Sequence, residues 1–593
     1  MTPIRYQDHS DGVREKLRLL EAAYAAGNLD LAMSLAEAAK DSLVFERQQT
    51  NRAAQDGFGA DRRVVVDDLP KPWGAWARGW KFCKPVSVFE TVGIKRAGEP
   101  VELAIAFPAD ETSDLGRELR VAHVNPDSGA LAEIPCQVDD ETRRGHERHC
   151  RLLFAADVPA HRQATYLVFY GNPWAERPAY ATDLCVRGEG YGLDIENRHF
   201  TARLSRQMGQ LERLTYKRQH GLELYAGGKG HGEPPGIDWA HDYVDEGHFQ
   251  KLRMRNWPEC PNYEVIHGPL CARVRRWGFP YSPVHPVFTP ARVHMDQAYA
   301  FYAGLPYFFK QGRIDVVKDV HIAAMRDDEW VFSGYSFTDM VWFDRQGKLH
   351  EGSVPAESAK NLWGVGFYNR TSRDAFIALW LEHEAKGFDP AHSGPPTLHY
   401  DGHGQLWSRY PAEEARLKAG TMFRQRNAYL VAPFDGANAE GQVERLRHQL
   451  LNPLEIRAGE VPRTAAAGIG AALARPGETR ETAPLKQAIW KALAEVRDEQ
   501  LYKIDSNIVD LGYVYDVRAR DGVVSILVTM PHRGRPVYEF LVNAGGGRVE
   551  PGIRERVLAI PGVRDVVVEF TWNPPWTADR LSDAARRAFG LPA

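Results

Sequence analysis

The spacing of apolar positions changes character several times along the chain. Over residues 13–45, Leu17, Leu20 and Tyr24, then Leu31, Leu35 and Ala38, recur every three or four positions, and Gly27-Asn28 interrupts the run. That spacing predicts a helical hairpin within residues 1–50. One such unit cannot bury its own apolar stripe, so it is expected to pack on another domain or chain. From Val64 onward the period drops to two. Short β-branched or alternating runs at 86–92, 101–107, 119–124, 150–154 and 165–170, parted by Pro and Gly, predict a β-sandwich over 64–182. A second and larger β region follows over 185–460. Residues 461–483, rich in Ala, Gly and Arg, read as a linker.

The last stretch, 484–593, alternates again. Val- and Ile-rich runs at 523–528 and 563–570 lie among helical patterns at 484–496, 554–560 and 577–589. This predicts a small α/β domain. Asp521-Gly522 between two β-rich runs predicts a tight hairpin, and Thr577 reads as an ordinary N-cap. The fold class is therefore multidomain and mainly β, with an N-terminal helical hairpin and a C-terminal α/β domain.

Three motifs in the C-terminal stretch resemble one known family. They are Asn507-Ile508-Val509-Asp510-Leu511-Gly512, the loop from Thr529 to Pro536, and Thr571-Trp572-Asn573-Pro574-Pro575-Trp576-Thr577. The family is the small metal–sulfur cluster assembly domain of cytosolic iron–sulfur assembly factors and of the phenylacetate-oxygenase maturation protein. The resemblance covers about the last sixth of the chain. It implies docking or maturation within a protein complex, here of a bacterial catabolic metalloenzyme system. Where the family loop ends Gly-Cys-Pro, this chain has Gly534-Arg535-Pro536, and Leu501-Tyr502-Lys503 takes the place of the usual Asp-Pro-Glu. A guanidinium cannot replace a thiolate ligand. No iron–sulfur cluster is therefore expected, and the cofactor is otherwise unknown. His532, Arg533 and Arg535 form a candidate anion-facing loop, with a solvated basic loop as the alternative.

The middle region is weakly similar to the β-supersandwich of galactose mutarotase-like proteins, polysaccharide lyases and late mannosidase domains. Residues 166–173 look like the last strand of a sandwich found beside carbohydrate-acting modules. Two clusters there could carry chemistry. The first holds His241, Tyr243, Asp245, His248, Trp257, Tyr263 and His267. His241, Asp245 and His248 would share a face only on a helix, and the neighbouring Pro and Gly favour a loop. A metal site, a polar cleft wall and a solvated loop all remain open, and no metal is assigned. The second cluster is Glu382, His383 and Glu384, followed by Trp407, Arg409 and Tyr410. On a strand, alternation puts Glu382 and Glu384 on one face, where two carboxylates could divide acid and base work. The bland alternative is a wet strand face. Candidate catalytic residues are thus His241, Tyr243, His248, Tyr263, His267, Glu382 and Glu384. Candidate binding residues are Trp257, Trp407, Arg409, Tyr410, His532, Arg533 and Arg535.

Composition narrows the partners. A net charge of −4 with 26% charged residues gives no attraction for nucleic acid or membrane. No apolar run is long enough to span a bilayer, and the first ten residues are polar. The six cysteines are scattered without a C-x-x-C pair, which points to reduced thiols and a cytoplasmic address. Two functions are compatible with these features. The favoured one is an accessory or structural subunit with a protein partner or a homo-oligomeric state. The alternative is a carbohydrate- or glycoside-acting lyase or epimerase using His and Tyr of the large β domain, with a small anionic or sugar-like ligand. Whether the chain is an enzyme is left open.

Overall fold

The computed structural model describes residues 13–40, 43, 57–218, 223–224, 236–238, 240–245, 248–253, 257, 260–279, 292–331, 338–355, 362–388, 398–399, 406–436, 441–462, 483–498, 501, 504, 506–531 and 551–591. It is mainly β and divides into two compact units, Met1–Val44 with Thr182–Pro453, and Phe45–Ala181 with Leu454–Ala593. Among the described residues no helix is long and apolar enough to cross a membrane.

In the first unit a nine-stranded antiparallel sheet faces an eleven-stranded one across a single core. The nine strands run, in spatial order, Asn262–His267, Cys271–Gly278, Val293–Tyr302, Tyr307–Val316, Met422–Pro433, Asp374–Lys386, Gly364–Tyr368, Asp339–Phe343 and Leu349–Glu351. Met295, Tyr299 and Phe301 point into the core beside Phe308 and Tyr429, and the second sheet contributes Leu193, Ile195 and Phe200. Every residue of Val293–Tyr302 is buried, so both faces of this strand are covered. One cover is the predicted helical hairpin, formed by Val13–Ala25 and residues 29–40. Gly27, at φ +72°, makes the turn between them. Ala23, Leu31, Leu35 and Ala38 pack on Trp277 of the sheet. Polar groups meet beneath the same helices. Asn262 Nδ2 donates to Ser34 Oγ at 3.0 Å, and Ser34 Oγ lies 3.3 Å from His294 Nε2. The hairpin thus finds its partner within the chain.

The second unit begins with a sandwich. One sheet is ordered Val64–Val65, Phe82–Phe89, Gln163–Tyr170, Arg120–Val124, Leu131–Ile134, and the other Arg96–Pro108, Glu147–Val158, Cys136–Arg144. Val86, Ile105, Phe107, Leu152, Phe154 and Val168 fill the space between them. Glu455–Ala458, which the sequence pattern assigns to the large β region, instead pairs with Phe82–Phe89 as Val86↔Ala458 through Phe89↔Glu455. Four residues carry too little alternation to announce a strand whose partner lies so far back along the chain.

The C-terminal domain of this unit has three strands. Val514–Arg520 and Val523–Val528 form the hairpin predicted at Asp521-Gly522. Both turn residues have positive φ, 48° and 76°, the geometry that matches strand twist. Val523–Val528 then pairs in parallel with Asp565–Phe570, after a crossover that includes the helix Ile553–Leu558. Ile489 and Leu493 of the helix Ala483–Leu493 cover one face with Ile553 and Val557, over Val524 and Ile526. The expected helix over 577–589 is shorter. Thr577 makes no side-chain cap and precedes only a 3-10 turn, whereas Ser582 caps Asp583–Ala588 by accepting from the Ala585 N–H. A serine is as good a cap as threonine, and it sits directly before the first full helical turn.

Candidate functional site

The described residues of the three C-terminal motifs, which lie up to 70 residues apart in sequence, converge at one edge of the small sheet. It is the carboxyl edge of the parallel pair, where α/β folds commonly bind their ligands. Asn507 organises the first motif. Its Oδ1 accepts from the N–H groups of Val509 and Asp510 at 3.0 and 2.9 Å, and its Nδ2 donates to Asp510 Oδ2 at 2.6 Å. Gly512 closes the turn at φ +69°, with the Arg580 carbonyl oxygen 2.6 Å from where a Cβ would lie. Trp576 Nε1 donates to the Leu511 carbonyl at 2.7 Å, tying the third motif to the first. The Thr529 N–H donates to the Tyr513 carbonyl at 2.8 Å, and the Thr571 N–H to that of Val528 at 2.9 Å. Beneath this edge the Tyr513 hydroxyl donates to Asp498 Oδ2 at 3.1 Å, both groups being buried. Asp498 is therefore a buried carboxylate at this edge, three positions before Leu501-Tyr502-Lys503, and the sequence pattern did not single it out. Asp510, Trp572 and Trp576 remain partly exposed.

The same domain is fastened to its own β-sandwich by charges that carried no recognised motif. Asp114 caps the short helix Leu115–Glu118, accepting from the Arg117 N–H at 2.8 Å. Its other oxygen accepts from Arg580 Nη1 at 2.8 Å. Burial opposes ionisation of Asp114, but Arg580, Arg177 and Arg117 outweigh it and hold the carboxyl well below the usual carboxylate range. The Arg580 guanidinium also lies 4.2 Å over the Tyr515 ring, and Arg117 lies 4.5 Å over Trp490. A second contact is centred on Glu176, which pairs with Arg520 at 2.7 Å and with Lys486. Arg143 pairs with Asp583, and the Arg177 N–H donates to Asp516 at 2.9 Å. One signal was available. Lys486, Ile489 and Leu493 share a helix face by their spacing, so a cation stood on an apolar stripe where only a buried partner could satisfy it.

The residues singled out in the large β domain are spread over both sheets. Ala240–Asp245 and His248–Arg253 form an antiparallel hairpin rather than a loop, with His241 opposite Leu252, Tyr243 opposite Gln250 and Asp245 opposite His248. Trp407, Arg409 and Tyr410 lie in the strand Leu406–Leu417, where Trp407 opposes Trp330 and Arg409 opposes Asp327. Trp257 is a core residue whose Nε1 donates to the Phe279 carbonyl at 2.7 Å. Tyr263 packs edge-on against Tyr191 with centroids 4.7 Å apart, and burial lowers the pKa of His267. Glu382 and Glu384 do share an exposed face of Asp374–Lys386, paired with Arg426 at 3.4 Å and Lys386 at 3.0 Å. The strand bearing Tyr263 and His267 stands five places from theirs in the sheet, about 24 Å away. The structure therefore does not bring these two pairs together as one acid–base site. His532, Arg533 and Arg535 lie outside the described residues. Among the described residues no group of three or more His, Cys, Asp or Glu could hold a metal ion.

Residues 486–570 match the family described as iron–sulfur cluster assembly protein. An Fe-S protein maturation auxiliary factor of Bacillus subtilis is 35% identical over 108 residues, 18% of this chain and 95% of that protein. The chain belongs to the iron–sulfur cluster assembly protein family through its C-terminal domain. A second family member, the Fe-S protein maturation auxiliary factor of Staphylococcus aureus, is 33% identical over 86 residues, 14% of this chain and 89% of that protein. Relative to these family members the chain adds the sandwich and the whole first unit. Two solved structures overlap those additions. A glycosyl hydrolase family 38 protein of Enterococcus faecalis is 11% identical at a TM-score of 0.41, over 73% of this chain, which spans about half (52%) of that protein. A galactose mutarotase-like protein of Lactobacillus casei is 9% identical at a TM-score of 0.25, over 42% of this chain and 100% of that one. At these values neither likeness bears on activity.

Proposed function

We propose that this protein is an accessory factor in the maturation of iron–sulfur proteins, acting by recognising a protein partner rather than by carrying the cluster. One observation carries the reading. The described residues of the three motifs shared with the family meet at a single edge of the C-terminal sheet, while every cysteine of the chain lies at or before Cys271. A cluster handled at this edge would be cargo, and its thiolate ligands would come from the partner. Asp510 on the first motif and Trp572 and Trp576 on the third offer that partner a carboxylate and two aromatic faces, and aromatic groups suit protein recognition. The partner class that fits is an apo iron–sulfur enzyme of a catabolic system. Docking the domain on its own sandwich commits one face of it, and among the described residues Asp510, Trp572 and Trp576 stay partly exposed.

The test is the activity of iron–sulfur enzymes in cells lacking this gene. Activities should fall while the amounts of those polypeptides stay constant, and the wild-type gene should restore them better than an Asp510→Ala, Trp572→Ala form. Unchanged activities in the deletion strain would overturn the reading. In parallel, anaerobic reconstitution of the purified chain should leave no stoichiometric iron and sulfide on residues 484–593.

A further inference from the structure

The sandwich of the second unit carries a cleft of about 940 Å³ that the C-terminal motifs do not use. Its size lies within the range of small-molecule sites. One hairpin turn and two links between the sheets build it. The Asn125–Gly129 turn is pinned because Asn125 Oδ1 accepts from the N–H groups of Asp127 and Ser128 at 3.0 and 2.9 Å. The Asp157 end is pinned by the Tyr166 hydroxyl, which accepts from the Asp157 N–H at 3.0 Å and donates to its carbonyl at 3.3 Å. Asp157 Oδ1 in turn accepts from the Gly98 N–H at 2.7 Å, fixing the third.

The floor is the His123 ring, held against Tyr166 with centroids 5.1 Å apart. Burial lowers the His123 pKa against the pull of Asp157, so the ring is a neutral donor and acceptor at neutral pH. Gln163 and Thr165 border the cleft from the other face of the sheet end, because Tyr166 opposes His123 while Thr165 opposes Val124, and Pro126 and Pro159 add flat apolar surface. The charges exclude an anion. Arg96 is spent on Glu90 and Glu99, at 3.3 and 2.7 Å, which leaves Lys95 against Asp127 and Asp157. A lining of amides, hydroxyls and a neutral imidazole around the sheet end, with flat apolar patches and without excess positive charge, matches hydroxyl groups on a C–H-rich ring.

We propose that this cleft binds a neutral polyhydroxylated ligand, a short oligosaccharide. The experiment is saturation-transfer NMR on the full chain with maltotriose, cellotriose and mannotriose as probes. At least one should receive saturation, and its affinity should change less than twofold between 50 and 500 mM salt. His123→Ala and the more exposed Gln163→Ala should each weaken it at least fivefold, with unchanged thermal unfolding of the Gln163 variant confirming the fold. No transfer to any of the three, transfer that survives both substitutions, or capture only of glucuronate or inorganic phosphate in a salt-sensitive way would overturn the proposal. None of these outcomes depends on iron–sulfur maturation.

Discussion

Arg580 Nη1 donates to Asp114 Oδ2 at 2.8 Å across 466 positions of chain, and both side chains are about nine-tenths buried. Removing one partner leaves the other as an uncompensated buried charge, which typically costs about 3–5 kcal/mol. Asp114→Ala and Arg580→Ala should each lower stability by about that amount. The double variant should lose clearly less than the sum. Chemical denaturation of the full chain, followed by a probe in the C-terminal domain, decides it. Additive losses would mean that the pair is not coupled. The sign with pH follows from the depressed pKa of Asp114. Its contribution is complete above the unfolded carboxylate value, near 4, and is lost as pH falls below that toward the folded value.

His294 titrates in a different window. Burial lowers its pKa to about 4, although Asp296 and Glu37 pull upward while Arg275 and Arg313 add to the lowering. A base with a depressed folded pKa adds stability above its unfolded value, near 6.5, and loses it as pH falls toward 4. Because Ser34 of the helical hairpin lies against this ring, the hairpin should become more susceptible to proteolysis as pH drops through that window. In His294→Gln the cleavage rate should be less dependent on pH. A wild-type rate that is flat between pH 7 and 4.5 would contradict the assignment.

Gly512 should not tolerate a side chain. A left-handed conformation costs a non-glycine residue about 1–2 kcal/mol, and here the added Cβ would also meet the Arg580 backbone at 2.6 Å. Gly512→Ala is expected to lower the unfolding temperature of the C-terminal domain and to weaken the Trp576–Leu511 tie. Thermal unfolding monitored by tryptophan fluorescence tests both. The matching change at Gly590, also left-handed but with open space around its Cβ, should cost only the conformational part.

In sequence His532, Arg533 and Arg535 follow the strand Val523–Val528 by a few positions, so the two guanidiniums are expected to serve the partner interface. Arg535→Ala, if it removes a desolvated contact to a carboxylate or phosphate, should weaken partner binding by about 2–5 kcal/mol. Arg533→Ala should weaken it less and mainly at low salt. Affinity for an apo iron–sulfur client at two salt concentrations is the measurement. Wild-type affinity in both variants would make the loop a solvated one.

Local chemistry alone determined much of this protein. Asp521-Gly522 dictated its hairpin because both positions need positive φ, and few residue pairs accept that. Leu31, Leu35 and Ala38 dictated a helix with one sticky face, and the family motifs from Asn507 to Thr577 identified the domain. What covers that sticky face could not be read locally, since Trp277 lies some 240 positions further on. The same holds for Glu455–Ala458, a strand only because Phe82–Phe89 offers it an edge. Asp114, Glu176 and Arg580 look like ordinary surface charges in the sequence. Burial against a distant segment turns them into a buried fastening. Likewise, sequence alternation put Glu382 and Glu384 on one face, but only the strand order put Tyr263 about 24 Å away. Spacing within a segment reports backbone geometry, whereas contacts between segments depend on which surfaces the whole chain removes from water.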